Sequence, residues 1–331
     1  MKQLTVGVLG ATGAVGQQML KVLEERGFPV KELRPLASAR SAGRRIAFRG
    51  EQVPIAEARE DAFRGLDLVL GAAENDIALR FAPHILEAGA VFVDNSSAFR
   101  LRADVPLIIP EINPEDAAWH KGIIANPNCT TIVTLMAVAP LAKASPIETM
   151  IASSYQAVSG AGVAGMGELK AEVEAGLRGE AYEPKAFPYP IAYNVIPQIG
   201  SEQFLGYTSE EMKMQNEGRK ILHLPEMKVS CTCVRVPVMR SHSVSVVLRT
   251  KEKISVDRAR ALIAAAPGCR LVDDLKNRLY PMPLDTSDQD LIFVGRIRED
   301  LTDERGLNLW CCGDQIRKGA ATNAVQIAEL L

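Results

Sequence analysis

The chain has 331 residues, 47% of them hydrophobic and 24% charged, enough to bury the cores of two compact units. Its 38 Lys and Arg against 40 Asp and Glu give a net charge of -2, which lacks the basic footprint of a nucleic-acid binder and points to a small-molecule partner. Six cysteines without a C-x-x-C pair, in a chain too long for a small disulfide scaffold, indicate a reducing compartment.

The start, MKQLTVGVLG, enters a strand-like run at once and lacks the regions of a signal peptide, so a cytoplasmic protein is expected. LTVGVLG reads as a strand and GAVGQQMLKVLEERG as a helix; KELRPLAS, LDLVLGA and VFVDNS follow as strands, with the helix DIALRFAPHILEAGA between the last two. Apolar strands separated by such helices need crossovers, which are right-handed. They predict an α/β fold with a Rossmann-type doubly wound parallel sheet.

In its first turn Gly10, Gly13 and Gly16 stand in G-x-x-G-x-x-G spacing. One glycine serves the turn, one lets pyrophosphate approach backbone N–H groups, and one lets the helix pack on the strand. Three glycines also suit plain turns, but the flanking strand and helix favour a dinucleotide. Gly10, Thr12, Gly13, Ala14, Val15 and Gly16 are therefore assigned to the cofactor. An NAD-selective site carries an acid about 20 residues on, ending the second strand. Here that place reads LRPLASARSAGRR, and Glu32 comes too early in the strand. Ser38, Arg40 and Ser41, with Arg44 and Arg45, suit a 2′-phosphate and predict NADP; a solvated basic loop is the other reading.

Next comes NPNCTTIVTLMAV, in which Pro127 and Asn128 form a turn and N-cap ahead of a helix opening at Cys129. A thiol in the first helical turn is favoured as a nucleophilic thiolate. Free cysteines are equally often small core residues, and the local pattern leaves both readings open. Pro140 interrupts this most apolar stretch, and no run reaches the ~20 apolar residues of a spanning helix.

From about residue 150 strands such as IETMIASSYQAVSG, VSCTCVRVPVMR and SVSVVLRT indicate a second, α+β domain, with a Pro-rich stretch between the first two. Arg235 and His242 flank Pro237, and a bend there aims both at one cleft, where an arginine can hold a carboxylate and a histidine can pass protons. A hydrogen-bonded strand histidine beside a surface arginine is the alternative. His84, His120 and His223 receive no role, the remaining cysteines are read as structural, and no metal site is expected. The tail, DQIRKGAATNAVQIAELL, has the spacing of an amphipathic helix.

Seven segments, GATGAVG, VDNSSAFR, NPNCTT, SYQAVSGAG, EEMKMQNEGRKIL, CVRVPVMRSHS and RKGAATNAVQIAE, together closely resemble bacterial aspartate-semialdehyde dehydrogenases, in the family's order and over almost the whole chain. The resemblance implies NADP-dependent reductive dephosphorylation of aspartyl phosphate to aspartate semialdehyde, a step toward lysine, diaminopimelate, threonine, methionine and isoleucine. It implies Cys129 as the nucleophile that forms an acyl thioester, His242 as acid/base, and Gln156 as the residue that positions the acyl group. Arg235 would clamp the substrate α-carboxylate, Glu210 would accept from the α-ammonium, and Arg100 and Lys213 would hold phosphate. Ser159 and Gly160 would meet the nicotinamide end, and Gln315 would touch NADP, although the family commonly has Asn at that position.

It further implies a homodimer, with an NADP-binding domain over 1–127 joined by a C-terminal helix 313–331, and a catalytic and dimerisation domain over 128–312. Two readings compete. N-acetyl-γ-glutamyl-phosphate reductase shares the chemistry but usually has Gly where this chain has Asn128, and a nucleotide-binding regulator without turnover would not need Cys129, Gln156, Arg235 and His242 together.

Overall fold

The computed structural model describes residues 3–331. The chain divides into two units: one runs to Asn128 and resumes over Ala320–Leu331, and the other is Cys129–Gly319.

The first unit begins with β1 (Leu4–Leu9), α1 (Ala14–Glu25), β2 (Val30–Ala37), β3 (Arg45–Phe48), β4 (Glu51–Pro54), β5 (Ala56–Glu57), β6 (Leu68–Gly71), α2 (Asn75–Glu87), β7 (Val91–Asp94) and β8 (Ile123–Ala125). Six strands form one sheet in the order β5-β2-β1-β6-β7-β8, and every pairing in it is parallel. Alternation explains its two buried faces. Val6, Val8, Leu68, Leu70 and Val93 pack against Met19, Val22 and Leu23 of α1 and against Ala324, Val325 and Ile327 of the C-terminal helix Thr322–Ala328. The basic stretch over residues 38–44 is a turn, as the loop reading has it, and a two-stranded hairpin of β3 and β4 begins directly after it at Arg45.

The second unit contains α3 (Cys129–Ala144), β9 (Ile147–Gln156), α4 (Gly162–Arg178), β10 (Glu202–Phe204), β11 (Tyr207–Thr208), α5 (Ser209–Ile221), β12 (Lys228–Arg235), β13 (His242–Thr250), α6 (Val256–Ala264), β14 (Cys269–Leu271), α7 (Pro283–Thr286), β15 (Ile292–Glu299) and β16 (Gly306–Gly313). Its mixed sheet runs β12-β9-β13-β16-β15-β14. β9 and β12 are parallel and end side by side at Gln156 and Arg235. β13 runs antiparallel to β9 and to β16, so it begins at His242 opposite Gly313, where β16 ends. Three strands thus deliver chemically capable residues, Gln156, Arg235 and His242, to one end of one sheet.

Two expectations need correction. Pro140 does not interrupt its helix: α3 is continuous and buried almost all round. Proline removes the N–H that would reach the Met136 carbonyl, and the Cys269 thiol donates to that oxygen instead, at 3.2 Å. The tail is not one amphipathic helix, because a π-turn over Arg317–Ala321 precedes a short helix whose residues are nearly all buried. Only the part from Ala320 belongs to the first unit; Asp314 has its partners in the second, accepting from the Asp288 N–H at 2.6 Å and pairing with Arg240 at 2.8 Å. Among the described residues no helix is long and apolar enough to cross a membrane.

Candidate active site

In the second unit, Cys129 is the first residue of α3, and its Sγ lies 3.6 Å from His242 Nε2. The other ring nitrogen, Nδ1, accepts a hydrogen bond from the Ala157 backbone N–H at 3.0 Å. The imidazole is completely buried. Burial first, and the charge of Arg235 second, push its pKa down to about 3, with Glu210 opposing.

Arg235 donates from Nη1 to the Ala157 carbonyl at 2.6 Å, and its guanidinium lies over the Phe187 ring, 5.8 Å from the centroid. Burial lowers its pKa, while the neighbouring Cys129 and Glu210 raise it. A Cβ built on Gly160 would come within 2.6 Å of Arg235 Nη1 and 3.4 Å of His242 Cε1. The bend around Pro237 therefore aims both side chains at one spot, as its sequence suggests, and Gly160 leaves that spot open.

Gln156 is buried with its amide oriented from both ends. Its Oε1 accepts from Ser154 Oγ at 2.9 Å, and its Nε2 donates to Glu210 Oε1 at 3.3 Å. Lys213 donates to the other Glu210 oxygen at 2.8 Å. The pair sits in the first turns of α5 because a capping box between Thr208 and Glu211 fixes the start of that helix. Glu211 Oε1 also accepts the Cys233 N–H of β12 at 3.0 Å, which ties the helix start to the strand that ends in Arg235. Gln315 accepts the Ser241 N–H at 2.9 Å and donates to Ser159 Oγ.

In the first unit Gly10 directly follows β1 in the left-handed region, φ 84°, where an L side chain is strained. Gly13 is the N-cap of α1 and brings no side chain to that helix's first N–H groups, so the backbone of Ala14, Val15 and Gly16 can receive an anion. A Cβ on Gly16 would collide with the Gly10 carbonyl oxygen. Such a cradle, which any side chain would fill, fits a nucleotide pyrophosphate, with Thr12 in the same turn. β2 ends at Ala37, and Ser38 and Arg40 follow it exposed, whereas Ser41 is buried. Arg100 is buried and holds the Asn126 and Asn95 carbonyls at 2.9 and 2.7 Å.

Residues 5–120 match the family described as semialdehyde dehydrogenase, NAD binding domain, and residues 138–318 match semialdehyde dehydrogenase, dimerisation domain. An aspartate-semialdehyde dehydrogenase of Synechocystis is 49% identical over 99% of this chain and 97% of its own. One of Bacillus subtilis is 46% identical over 99% and 97%. The chain belongs to the aspartate-semialdehyde dehydrogenase family. The solved aspartate semialdehyde dehydrogenase II of Vibrio cholerae, complexed with ASA, superposes with a TM-score of 0.97 at 42% identity, covering 100% of this chain and 98% of that one. The chain is an oxidoreductase whose first unit takes a nicotinamide cofactor.

Three contributors escape the sequence. Ala157 acts through its backbone, which no residue type announces. Ser241 adopts φ 75° without being glycine and directly precedes His242. Phe187 lies under Arg235 because Glu168 on α4 accepts the N–H groups of Lys185, Ala186 and Phe187 at 2.6, 2.5 and 3.0 Å. The only signal was a glutamate on the helix that precedes the Pro-rich stretch, which reads as a solvated charge.

Proposed function

We propose that this chain catalyses NADP-dependent reductive dephosphorylation of L-aspartyl 4-phosphate to L-aspartate 4-semialdehyde, as a cytoplasmic homodimer formed through the second domain. The carrying observation is the 3.6 Å approach of the Cys129 sulfur to His242 beside Arg235, since a nucleophile, a hydrogen-bonding ring and an anion clamp are the set that acyl transfer needs.

In this reading the Cys129 thiolate attacks the acyl carbon and expels phosphate, leaving a thioester, while His242 serves the oxygen that carries the negative charge. Gln156 orients the acyl group, its amide being set by Ser154 and Glu210. Arg235 takes the α-carboxylate in a bidentate grip, and Glu210 accepts from the α-ammonium. Lys213 and Arg100 take the phosphate oxygens.

When bound, the reduced nicotinamide supplies the hydride that converts the thioester to the aldehyde. Gly10, Thr12, Gly13, Ala14, Val15 and Gly16 would hold its pyrophosphate, and Ser38, Arg40 and Ser41 its 2′-phosphate. Ser159 and Gly160 would meet the nicotinamide end. Gln315, engaged by Ser241 and Ser159, would act on the cofactor by shaping that region.

The deciding experiment is phosphate-dependent reduction of NADP with L-aspartate semialdehyde, run beside Cys129→Ser and beside N-acetylglutamate semialdehyde. Turnover with the first substrate alone, lost in the variant, is the expected result. A folded protein that binds NADP without turnover would sink the reading.

A further inference from the structure

After α4 the chain runs over residues 180–201 with no helix and no strand beyond a single bridge of Ile196 to Arg235. Two carboxylates hold this strap. Glu168 and Glu172 stand one turn apart on α4, and both are buried. Glu168 Oε2 accepts from the Lys185 and Ala186 N–H groups, and its Oε1 accepts from that of Phe187. Glu172 takes the Ile191 and Ala192 N–H groups on Oε2 alone, at 2.8 and 2.6 Å. Its Oε1 is buried with no partner among the described residues.

The strap meets Arg235 twice. Ile196 and Arg235 exchange both backbone hydrogen bonds, at 3.0 and 2.9 Å, and the Phe187 ring lies against the guanidinium, 5.8 Å from its centroid. The ring itself has little room to move. It packs on the cluster of Val158, Leu169, Ile191 and Ile196, and a Cβ built on Gly165 would come within 3.0 Å of its Cζ.

We propose that Glu168 is a positioning residue for Arg235: through the Phe187 N–H it keeps the ring against the guanidinium, and so holds the fork as a carboxylate must meet it. The hydrogen bond to the Ala157 carbonyl fixes one end of the fork, and the ring face fixes its plane. The gain for a substrate carboxylate rests on the clamp role proposed for Arg235, while the contact between strap and guanidinium does not.

Glu168 and Glu172 differ in a way that isolates this effect. Glutamine keeps the shape of glutamate but replaces one acceptor oxygen by an NH2 that only donates. At position 172 the NH2 takes the place of the partnerless oxygen, and both bonds to the strap survive. At position 168 no oxygen is spare. An oxygen kept for Lys185 and Ala186 turns the NH2 against the Phe187 N–H, donor against donor. One substitution, made one helical turn apart, therefore releases Phe187 in one case and nothing in the other.

The test is the steady-state kinetics of Glu168→Gln and Glu172→Gln with L-aspartate semialdehyde, phosphate and NADP each varied. Glu168→Gln is expected to raise the KM for the semialdehyde about tenfold, with kcat and the other two KM values within about twofold of wild type. Glu172→Gln should match wild type throughout. Added to Arg235→Lys, Glu168→Gln should cost less than about a further twofold, because the fork it acts through is already gone. Multiplication of the two effects, a uniform rise in all three KM values, or equal losses in the two glutamine variants would overturn the proposal. Should Glu168→Gln not fold, Phe187→Leu removes the ring and leaves both carboxylates; the same selective rise is expected, and an unchanged KM would overturn the proposal.

A second reading needs no turnover. In protein labelled with ¹⁵N-arginine, the guanidinium signals of Arg235, assigned by their loss in Arg235→Lys, should shift in Glu168→Gln and stay in place in Glu172→Gln. Unmoved signals in Glu168→Gln would refute the positioning itself. Shifted signals in a protein that does not turn over the semialdehyde would uphold the positioning and refute only the proposed reaction.

Discussion

The two halves of the proposed chemistry are built in opposite ways. At the glycine loop of the first unit the working groups are backbone N–H groups, and the residues contribute by having no side chain: Gly10 by its left-handed φ, Gly16 by the room it leaves beside the Gly10 carbonyl. At the sheet end of the second unit the working groups are side chains, each held by a partner distant in sequence, as Ala157 holds His242 and Glu210 holds Gln156. Substitutions in the loop should therefore act through atoms they add, and substitutions at the sheet end through atoms they remove.

The largest effect is expected at the sheet end. Cys129→Ser replaces the thiol by a hydroxyl far harder to ionise, and turnover should fall on the order of 10⁴-fold or more with cofactor binding intact. Measured turnover within a factor of about ten of wild type would remove Cys129 from the reaction.

Arg235→Lys comes second. It keeps the charge but loses the planar fork that donates to Ala157 and stacks over Phe187. About 2–3 kcal/mol of transition-state stabilisation should disappear, roughly a hundredfold in kcat/KM for the semialdehyde. An unchanged kcat/KM would show that no bidentate clamp operates there.

In the loop, Gly16→Ala forces a methyl into the Gly10 carbonyl and within 2.8 Å of the Ala11 Cα, backbone atoms that cannot swing aside. It should cost about 1–3 kcal/mol of stability and raise the cofactor KM roughly tenfold, leaving the KM for phosphate unmoved. Equal changes in both KM values would contradict the division of labour between the loop and the sheet end.

How much of this was legible in the sequence follows from the same contrast. The parallel sheet and the loop could be read because backbone chemistry leaves a local signature: apolar runs, helix-length spacing, glycines at fixed intervals. The sheet end was legible only in part: the bend at Pro237 suggests one cleft for Arg235 and His242, whereas Gln156 looks like a strand residue until the register of β9 and β12 sets it beside Arg235, and Glu210 and Lys213 look like a surface ion pair until α5 places Glu210 against Gln156. Gln156, Glu210 and Lys213 are assigned only through seven segments matching a family. Ser241 escaped even that, because nothing in Arg-Ser-His says that the serine takes a glycine's conformation.

His242 also ties stability to pH. Its folded pKa, about 3, lies below the value near 6.5 of an unfolded histidine, so at neutral pH both states are uncharged and its contribution is complete. As the pH falls below about 6.5 only the unfolded chain takes up the proton, and stability is lost progressively toward the folded value, on the order of a few kcal/mol at the acid end. Unfolding free energies measured between about pH 7 and 4 should therefore fall less steeply in His242→Gln than in wild type. Parallel curves would mean that the ring is not shielded.

The smallest effect tests a position that belongs to both kinds. Ser241 is a side-chain residue in a glycine's conformation, φ 75°, fully buried, with its N–H on Gln315 at 2.9 Å and its hydroxyl 2.6 Å from Thr286 Oγ1. Ser241→Ala keeps the strained Cβ and loses the hydroxyl's bond, so it should destabilise by about 1–2 kcal/mol. Ser241→Gly loses the same bond but relieves strain worth on the order of 1 kcal/mol, so it should be the more stable of the two by about that margin. Thermal unfolding of both variants supplies the ranking. The reverse order would mean that the left-handed turn costs the chain nothing, and that His242 is held by Ala157 alone rather than by the turn that leads into it.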